Sequence, residues 1–438
     1  MHYKRIHFIG AGGIGTSAMA KLLKSRGVYV SASDVKDSET LQELRDLSIQ
    51  TWVGSRPEKI GKDVELIVYS SAVPEDDEER IRGRHIGARE VTYNEFLGEV
   101  SRGSKLIAVT GTHGKSTTTA MIGHILIQAG LDPTVIVGSK VPGFQHGNLR
   151  IGQSNLFVAE ACEHMAHMLH LDPWMAVVTN IELDHTDFYR DEQHVYDTMR
   201  AFAKKIAKGG VLVANGADRL SKKLGEEMGS EIEGDGGTVI VVRELKDAVT
   251  LRLPGSYNRE NAAMAWAAAS HLGVDGGVIA KALESFTGLW RRFEHLGMYN
   301  GADVYTDYAH HPTALRRLVE GAREFLPNRR IVLCFQPHQH ARTKGLFDEF
   351  VSSMDAADVA IISEIYGVAG RTESEDISSA DLVKAIKAHD ADRSADRPVI
   401  FASNLADAKV KIDSAIKPND VLLMVGAGDI DGLARSLP

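Results

Sequence analysis

Twice in this chain a short apolar run ends in glycines that open onto a helix-forming stretch. RIHFIG leads into Gly10-Ala-Gly-Gly-Ile-Gly15, and KLIAVTGTHGKSTTT carries Gly111 and Gly114 just ahead of Lys115. A strand that feeds a helix through a tight turn continues most simply as a crossover to a parallel neighbour, so the pattern selects an α/β fold. The rhythm persists along the chain. VYVSASD ends at Asp34, VELIVYS covers 64–70, NLFVAE covers 155–160, and WMAVVTN and GGVLVAN cover 174–180 and 209–215. Five further apolar runs, at 303–309, 329–336, 358–364, 398–403 and 420–429, alternate with helical segments. A length of 438 residues suits two or three domains. The reading is three: residues 1–102 a Rossmann-like parallel sheet, 103–288 a P-loop ATPase-type α/β domain, and 289–438 a second Rossmann-like α/β domain. Helices are expected from about Thr16 to Lys24 and over 261–272, a solvated helix face over Glu75–Arg84, and a small strand-rich insert over 218–250.

Composition narrows the function classes. Net charge is −9, from 50 Lys+Arg against 59 Asp+Glu, and no basic block stands out, so a nucleic-acid footprint is absent. Anionic ligands must then be held by local amide nests and a few placed cations. Cys162 and Cys334 are too few for a disulfide framework and fit a reducing cytoplasm. The N-terminal stretch lacks a signal core, and no run of 18 apolar residues predicts a membrane span.

The first glycine loop, Gly10-x-Gly12-x-x-Gly15, has Asp34 at the end of the next strand. Glycines there let backbone approach a diphosphate at a helix N-terminus, and an acid meets a ribose hydroxyl. NAD, another nucleotide diphosphate, or a tight turn with no ligand all satisfy this pattern. The second loop resembles a P-loop whose first glycine position holds Val109. Gly111, Thr112, His113 and Gly114 would cradle phosphate, Lys115 would supply a point charge, and Ser116 with Thr117 would supply hydroxyls, so the loop points to ATP with Mg²⁺. Further metal ligands are expected at strand ends, which singles out Glu160 and the Asp184-His185 pair beside Ser116.

With these residues in place the sequence resembles the Mur ligases, ATP-dependent amide-forming enzymes of peptidoglycan precursor synthesis. The markers run in order through nearly the whole chain: GAGGIG, TGTHGKSTT, VAEA, TNIELDH, LPGSYNRENAAMA, RRFE, DYAHHPT, FQPH with Arg342-Thr343, and GAGDI. The branch they most resemble adds L-alanine to UDP-N-acetylmuramate. The resemblance implies that Gly12, Gly13, Ile14, Gly15 and Asp34 bind the UDP of a UDP-sugar rather than NAD, with Ser70 and Ser71 helping. It implies that Asn258 and Asn261 contact adenine, although asparagines there would also serve as helix caps. It places Arg292 on the ATP γ-phosphate, Asp307 on its ribose, and His311, His338 and Arg342 on substrate. The histidines 310, 311, 338 and 340 have no zinc-ligand spacing, so hydrogen bonding to substrate is the better reading. Lys115, Glu160, His185 and Arg292 become the catalytic set, with Mg²⁺ on Ser116, Glu160 and His185. Domain closure is expected to assemble the site.

Three positions depart from the family pattern. Cys162 replaces an acid, Gln339 replaces a cation near the amino-acid pocket, and Arg200 stands where some members carry a carbamylated lysine. The first two leave open a relative that adds a preformed peptide, glycine or serine. A non-catalytic UDP-sugar-binding protein is the alternative from another class, and the retained catalytic set argues against it. The GAGDI turn has no assigned role at this stage.

Overall fold

The computed structural model describes residues 3–186, 188–245, 249–367 and 376–438. Three sheets carry the chain. The first holds β1 (Arg5–Ile9), β2 (Tyr29–Asp34), β3 (Gln50–Val53), β4 (Leu66–Tyr69) and β5 (Arg89–Thr92), all parallel in the order 3-2-1-4-5. The second holds β6 (Lys105–Thr110), β7 (Thr134–Ile136), β8 (Leu149–Arg150), β9 (Leu156–Glu160), β10 (Met175–Val178), β11 (Val211–Asn215) and β12 (Thr238–Val242). Its order is 12-11-10-6-9-7-8, parallel except for the short β7–β8 pair. The third holds β13 (Glu294–Tyr299), β14 (Ala302–Asp307), β15 (Ile331–Phe335), β16 (Val359–Ser363), β17 (Val399–Ala402) and β18 (Val421–Val425) in the order 13-14-18-15-16-17. There β13 joins β14 as an antiparallel hairpin at the edge, and the other pairs are parallel.

The apolar runs are continuous because both faces of these sheets are covered. In β15, Ile331, Leu333 and Phe335 pack against Leu318, Val319 and Phe350, while Val332 and Cys334 face the opposite cluster with Ala408 and Ile412. Burial pushes the Cys334 thiol up to about 12, so it is a small core side chain. Among the described residues no helix is long and apolar enough to cross a membrane.

Several sequence expectations are corrected. The segment 218–250 is not strand-rich: Arg219–Gly234 is a helix capped by Asp218, followed by the single strand β12. Leu220, Leu224, Met228 and Ile232 recur every four residues and are all buried, a helical period that the glycines between them disguise. Residues 249–253 form no strand, and 246–248 lie outside the described residues. The first helix starts at Ile14 rather than Thr16, and the helix expected from 261 starts at Ser256. The charged stretch 75–84 holds helix Glu78–His85, but it is not wholly solvated, because Glu79 and Arg80 are buried. Glu79 accepts from Trp52 Nε1 at 2.5 Å, Arg56 N at 2.8 Å and the Ser33 hydroxyl, with His7 Nε2 at 3.4 Å. A buried carboxylate with that many donors is stable where a lone one is not.

Packing divides the chain into two compact units. Met1–Glu182, Gln193–Val249 and Asn261–Glu284 form one; Leu183–Glu192, Thr250–Glu260 and Ser285–Pro438 form the other. The first unit contains the first two sheets and the second unit the third. Within the first unit, Asn148 of the segment entering β8 donates to Ile14 O and to Ser17 Oγ (3.1 Å), and its oxygen accepts from the buried Lys21 (3.2 Å). This joins the second sheet to the first turn of helix Ile14–Ser25.

Candidate nucleotide and ligase site

The loop after β1 is shaped by two close approaches. Gly10 has φ +78°, and a Cβ there would lie 2.9 Å from Ser70 Cβ; at Gly15 it would lie 2.7 Å from the Tyr93 ring. Only glycine fits either place without displacement. The Gly12 amide donates to Asp34 Oδ2 at 2.8 Å, so the acid closing β2 folds back onto the loop. Gly13 caps helix Ile14–Ser25 without a side-chain bond. The structure therefore brings together Gly12, Gly13, Ile14, Gly15, Asp34 and Ser70, while Ser71 is exposed beside them. Tyr93 was not anticipated. It begins helix Tyr93–Ser101 behind a Thr92–Glu95 capping box, and burial, with Glu160 and Cys162 nearby, raises its pKa.

The loop after β6 is clamped by the segment after β10. Thr179 Oγ1 donates to His113 O (2.6 Å) with Thr110 O 3.1 Å away, and Asn180 both accepts from His113 N (2.8 Å) and donates to His113 O (2.9 Å). Thr112 Oγ1 donates to Glu182 O (2.9 Å), and the His113 ring meets the Glu182 carboxylate at 3.1 Å. Gly111 (φ +131°) and Gly114 (φ +83°) sit tightly: a Cβ would fall 2.1 Å from Thr179 Oγ1 and 2.3 Å from Asn261 Oδ1 respectively. Helix Lys115–Gln128 starts at left-handed Gly114, with no side-chain cap on its first amides. Lys115 Nζ donates to Gly111 O (2.7 Å), Thr112 O (3.1 Å) and Glu163 Oε1 (2.9 Å). Burial opposes its charge, but Glu163, with Cys162 and Glu160 close by, holds its pKa above the ordinary lysine value.

Ser116 Oγ donates to Glu160 Oε2 at 3.1 Å, and the other Glu160 oxygen accepts from Gly138 N. A hydroxyl and a carboxylate at the end of a parallel strand are hard oxygen donors that fit Mg²⁺. Thr117 is buried behind them. His185, the third metal ligand expected from sequence, belongs to the other compact unit, where its backbone N donates to Asp184 Oδ1 at 2.7 Å. Cys162 is half-buried, and burial among acids pushes its thiol up to about 12. It is not a reactive thiolate.

The two asparagines divide. Asn261 accepts from Thr118 Oγ1 (3.2 Å) beside Gly114, whereas Asn258 donates to Pro254 O (2.8 Å) in the second unit. Neither caps the helix, which starts at Ser256.

In the second unit Arg342 Nε lies 3.1 Å from Asp184 Oδ1, both nearly fully buried. Burial would raise the Asp184 pKa, but the Arg342 guanidinium outweighs it and holds the carboxyl far below the usual range. Arg342 Nη1 meets His338 Nδ1 at 3.2 Å, and the His338 ring stacks on Tyr366 at 5.7 Å. Burial and the Arg342 charge depress the pKa of neighbouring His310 well below normal, so its ring is neutral. His311 caps helix Pro312–Phe325, its Nδ1 accepting from Thr313 N (3.3 Å) with Nε2 3.3 Å from Leu183 O. Its structural role is thus filled. His340 Nδ1 lies 3.1 Å from Ile377 O.

Arg292 lies over the Tyr308 ring at 5.2 Å. Asp307 accepts from Phe293 N (2.7 Å) and Ala309 N (2.8 Å), and burial raises its pKa. Residues that sequence reasoning left without a role are Glu163, Thr179, Asn180, Asn261 as a loop contact, and Tyr93. Thr179 and Asn180 lie inside the TNIELDH motif and Glu163 follows VAEA by two residues, which was the available signal.

Family comparisons cover this whole arrangement. Residues 5–105 match the Mur ligase family catalytic domain, 109–269 the Mur ligase middle domain, and 291–428 the Mur ligase glutamate ligase domain. The chain belongs to the Mur ligase family. It is 34% identical to a UDP-N-acetylmuramate–L-alanine ligase of Clostridium novyi over 98% of this chain and 95% of that one. It is 36% identical to the Clostridium tetani protein of the same name over 98% and 96%. Among solved structures, the UDP-N-acetylmuramate–alanine ligase of Thermotoga maritima superimposes with a TM-score of 0.80 at 26% identity, covering 99% of this chain and 98% of that one.

Proposed function

We propose that this chain joins L-alanine to the lactyl carboxylate of UDP-N-acetylmuramate at the expense of ATP, releasing ADP and phosphate. The observation that carries this reading is the clamped phosphate loop, with Lys115 and the Ser116–Glu160 pair at the end of a parallel sheet. Near-full-length similarity to ligases of that name supports the choice of substrates.

A carboxylate does not react with an amine at neutral pH until its oxygen is made a leaving group. The lactyl carboxylate oxygen attacks the γ-phosphorus, the bond to ADP breaks, and an acyl phosphate forms. The alanine amine then attacks the acyl carbon, phosphate leaves, and the amine gives up a proton. In the first step negative charge spreads over the γ-oxygens. Lys115 exchanges its carbonyl and Glu163 partners for phosphate oxygens, and Arg292 is the second cation assigned to the γ-phosphate. Ser116 and Glu160 would hold Mg²⁺, which when bound neutralises charge on the β- and γ-phosphates; His185 is a candidate for a second ion. Gly12, Gly13, Ile14, Gly15, Asp34, Ser70 and Ser71 would hold the UDP-sugar, Asn258, Asn261 and Asp307 the adenosine, and His311, His338 and Arg342 the remaining substrate groups. Asp184 already occupies Arg342, so a substrate carboxylate there would have to share or displace that pair.

The test is phosphate release with UDP-N-acetylmuramate, ATP and Mg²⁺, offering L-alanine, glycine, L-serine and a muramyl-type tripeptide in turn. L-Alanine is expected to give the highest kcat/KM. Turnover with the tripeptide alone would overturn the choice of amino acid.

A further inference from the structure

The motif GAGDI and the first arginine of RRFE have no role in the chemistry above, yet they meet in the structure. Arg291 is buried, and its Nη2 donates to the carbonyls of Gly426 and Gly428 (3.2 Å to the latter). Its Nε lies 3.8 Å from Asp431 Oδ1, too far for a hydrogen bond, and makes no hydrogen bond among the described residues. Asp431 balances the charge while held by Thr306 Oγ1 (2.9 Å) and Arg435 Nε (2.9 Å).

The backbone around Arg292 is fixed at every residue. Arg291 (φ +56°) and Phe293 (φ +49°) are both left-handed, which non-glycine residues adopt only when their surroundings impose it. Arg291 N donates to Glu294 Oε2 (2.8 Å), its carbonyl accepts from Tyr308 N (2.9 Å), and Phe293 N donates to Asp307 (2.7 Å). Arg292 N closes a turn onto Leu289 O (3.1 Å). Both guanidinium groups flank one ring, Arg291 at 4.9 Å and Arg292 at 5.2 Å from the Tyr308 centroid. The glycines cannot be replaced freely: a Cβ at Gly426 would lie 2.7 Å from Gln336 O, and one at Gly428 would lie 2.5 Å from Gln336 Oε1.

We infer that Arg291 is a positioning residue for Arg292, and that the Gly426–Ile430 turn is the socket that holds it. Its guanidinium, bonded to two turn carbonyls, anchors the strained 291–293 backbone so that Arg292 projects along one face of Tyr308. The inference rests on the proposed role of Arg292 toward the γ-phosphate. An arginine that acts only as charge develops must be placed within a fraction of an ångström, so loosening its anchor costs kcat more than binding.

The experiment is a double-mutant cycle on the full chain with Arg291→Met, Arg292→Ala and the pair, measuring kcat and each KM alongside thermal unfolding. Arg291→Met is expected to lower kcat by about 10²-fold while the KM for UDP-N-acetylmuramate stays within about twofold. It should cost nothing further in the Arg292→Ala background, because anchor and arginine act as one unit. Arg291→Lys, which keeps the charge and can reach one carbonyl, should recover about tenfold of the loss, and it replaces Arg291→Met in the cycle if that variant does not fold. Independent, multiplying losses in the double variant would overturn the positioning role and leave Arg292 standing. Full activity of Arg292→Ala would overturn both the inference and the reading on which it rests.

Discussion

The two glycine loops of the first compact unit share a strand–turn–helix frame and differ in charge. In Gly10–Gly15 the loop has no ionisable side chain, and an acid from the next strand, Asp34, meets the Gly12 amide. In Gly111–Ser116 the loop carries a cation, Lys115, and the acid facing it is Glu163. On the proposed function the contrast has a simple cause. A diphosphate that is only held can be met by amides and shape, whereas a phosphoryl group in transit needs a cation where charge develops. The clamps differ too. The first loop leans on Ser70 and Tyr93, and the second is bonded to Thr179, Asn180 and Glu182. The loop assigned the chemistry is the more heavily hydrogen-bonded one, as preorganisation requires.

The contrast is broken most directly at Lys115. Lys115→Ala should lower kcat/KM by at least about 10³-fold, with UDP-N-acetylmuramate binding by calorimetry unchanged. Activity within tenfold of the parent would show that the loop's charge is not what drives transfer. Gly114→Ala is expected to cost somewhat less, about 10–10²-fold in kcat/KM for ATP, because it adds left-handed strain of about 1–3 kcal/mol and pushes on Asn261 at 2.3 Å. Equal loss for both nucleotide substrates would point to general unfolding, which a melting curve would reveal. Asp34→Ala sharpens the other side: the KM for UDP-N-acetylmuramate should rise about tenfold, the worth of one hydrogen bond to a charged group, and the KM for ATP should not move. A matching rise for ATP would mean the loops are not separate sites.

Much of this was legible in the chain. Parallel strands buried on both faces read as unbroken apolar runs, so β1, β6, β10, β15 and β18 could be placed to within a few residues. The glycine loops were legible because their chemistry is local: glycine, lysine and hydroxyl residues within a single turn. What was hidden depends on partners far away in sequence. Glu163 meets Lys115 across 48 residues, and Arg291 meets Gly426 across 135. Asn261 offered adenine contact and helix capping as its two sequence readings, yet it lies against Gly114. The helix Arg219–Gly234 was hidden differently. Its Gly225 permits close packing, a Cβ there falling 2.9 Å from Ala214 Cβ, and glycine inside a helix reads as a break until the sheet beside it is known. Likewise Glu79 reads as surface charge until its donors are in place.

The smallest expected effect separates the two loops by pH. After Glu163 the chain enters His164–His170, where burial, and then the neighbouring His164 and His170, push the His167 pKa down to about 4. The folded value lies below the unfolded one of about 6.5, so the fold prefers the neutral ring. That contribution is complete above about pH 6.5 and is lost progressively as pH falls toward 4, because the unfolded chain then binds the extra proton. Beneath the first loop, Glu79 behaves differently. Burial raises its pKa, but His7, Ser33 and Trp52 outweigh this and hold it below the usual value. Its contribution stays intact until the pH falls below about 4.5. Mild acid should therefore weaken the surroundings of the second loop first. Between pH 7.5 and pH 5 the parent should lose about 1–2 kcal/mol of unfolding free energy through His167; His310 in the other unit, likewise depressed, adds its own loss. His167→Gln should recover roughly 1 kcal/mol of that difference in urea titrations at the two pH values. An unchanged difference would place the acid sensitivity outside the second loop's surroundings.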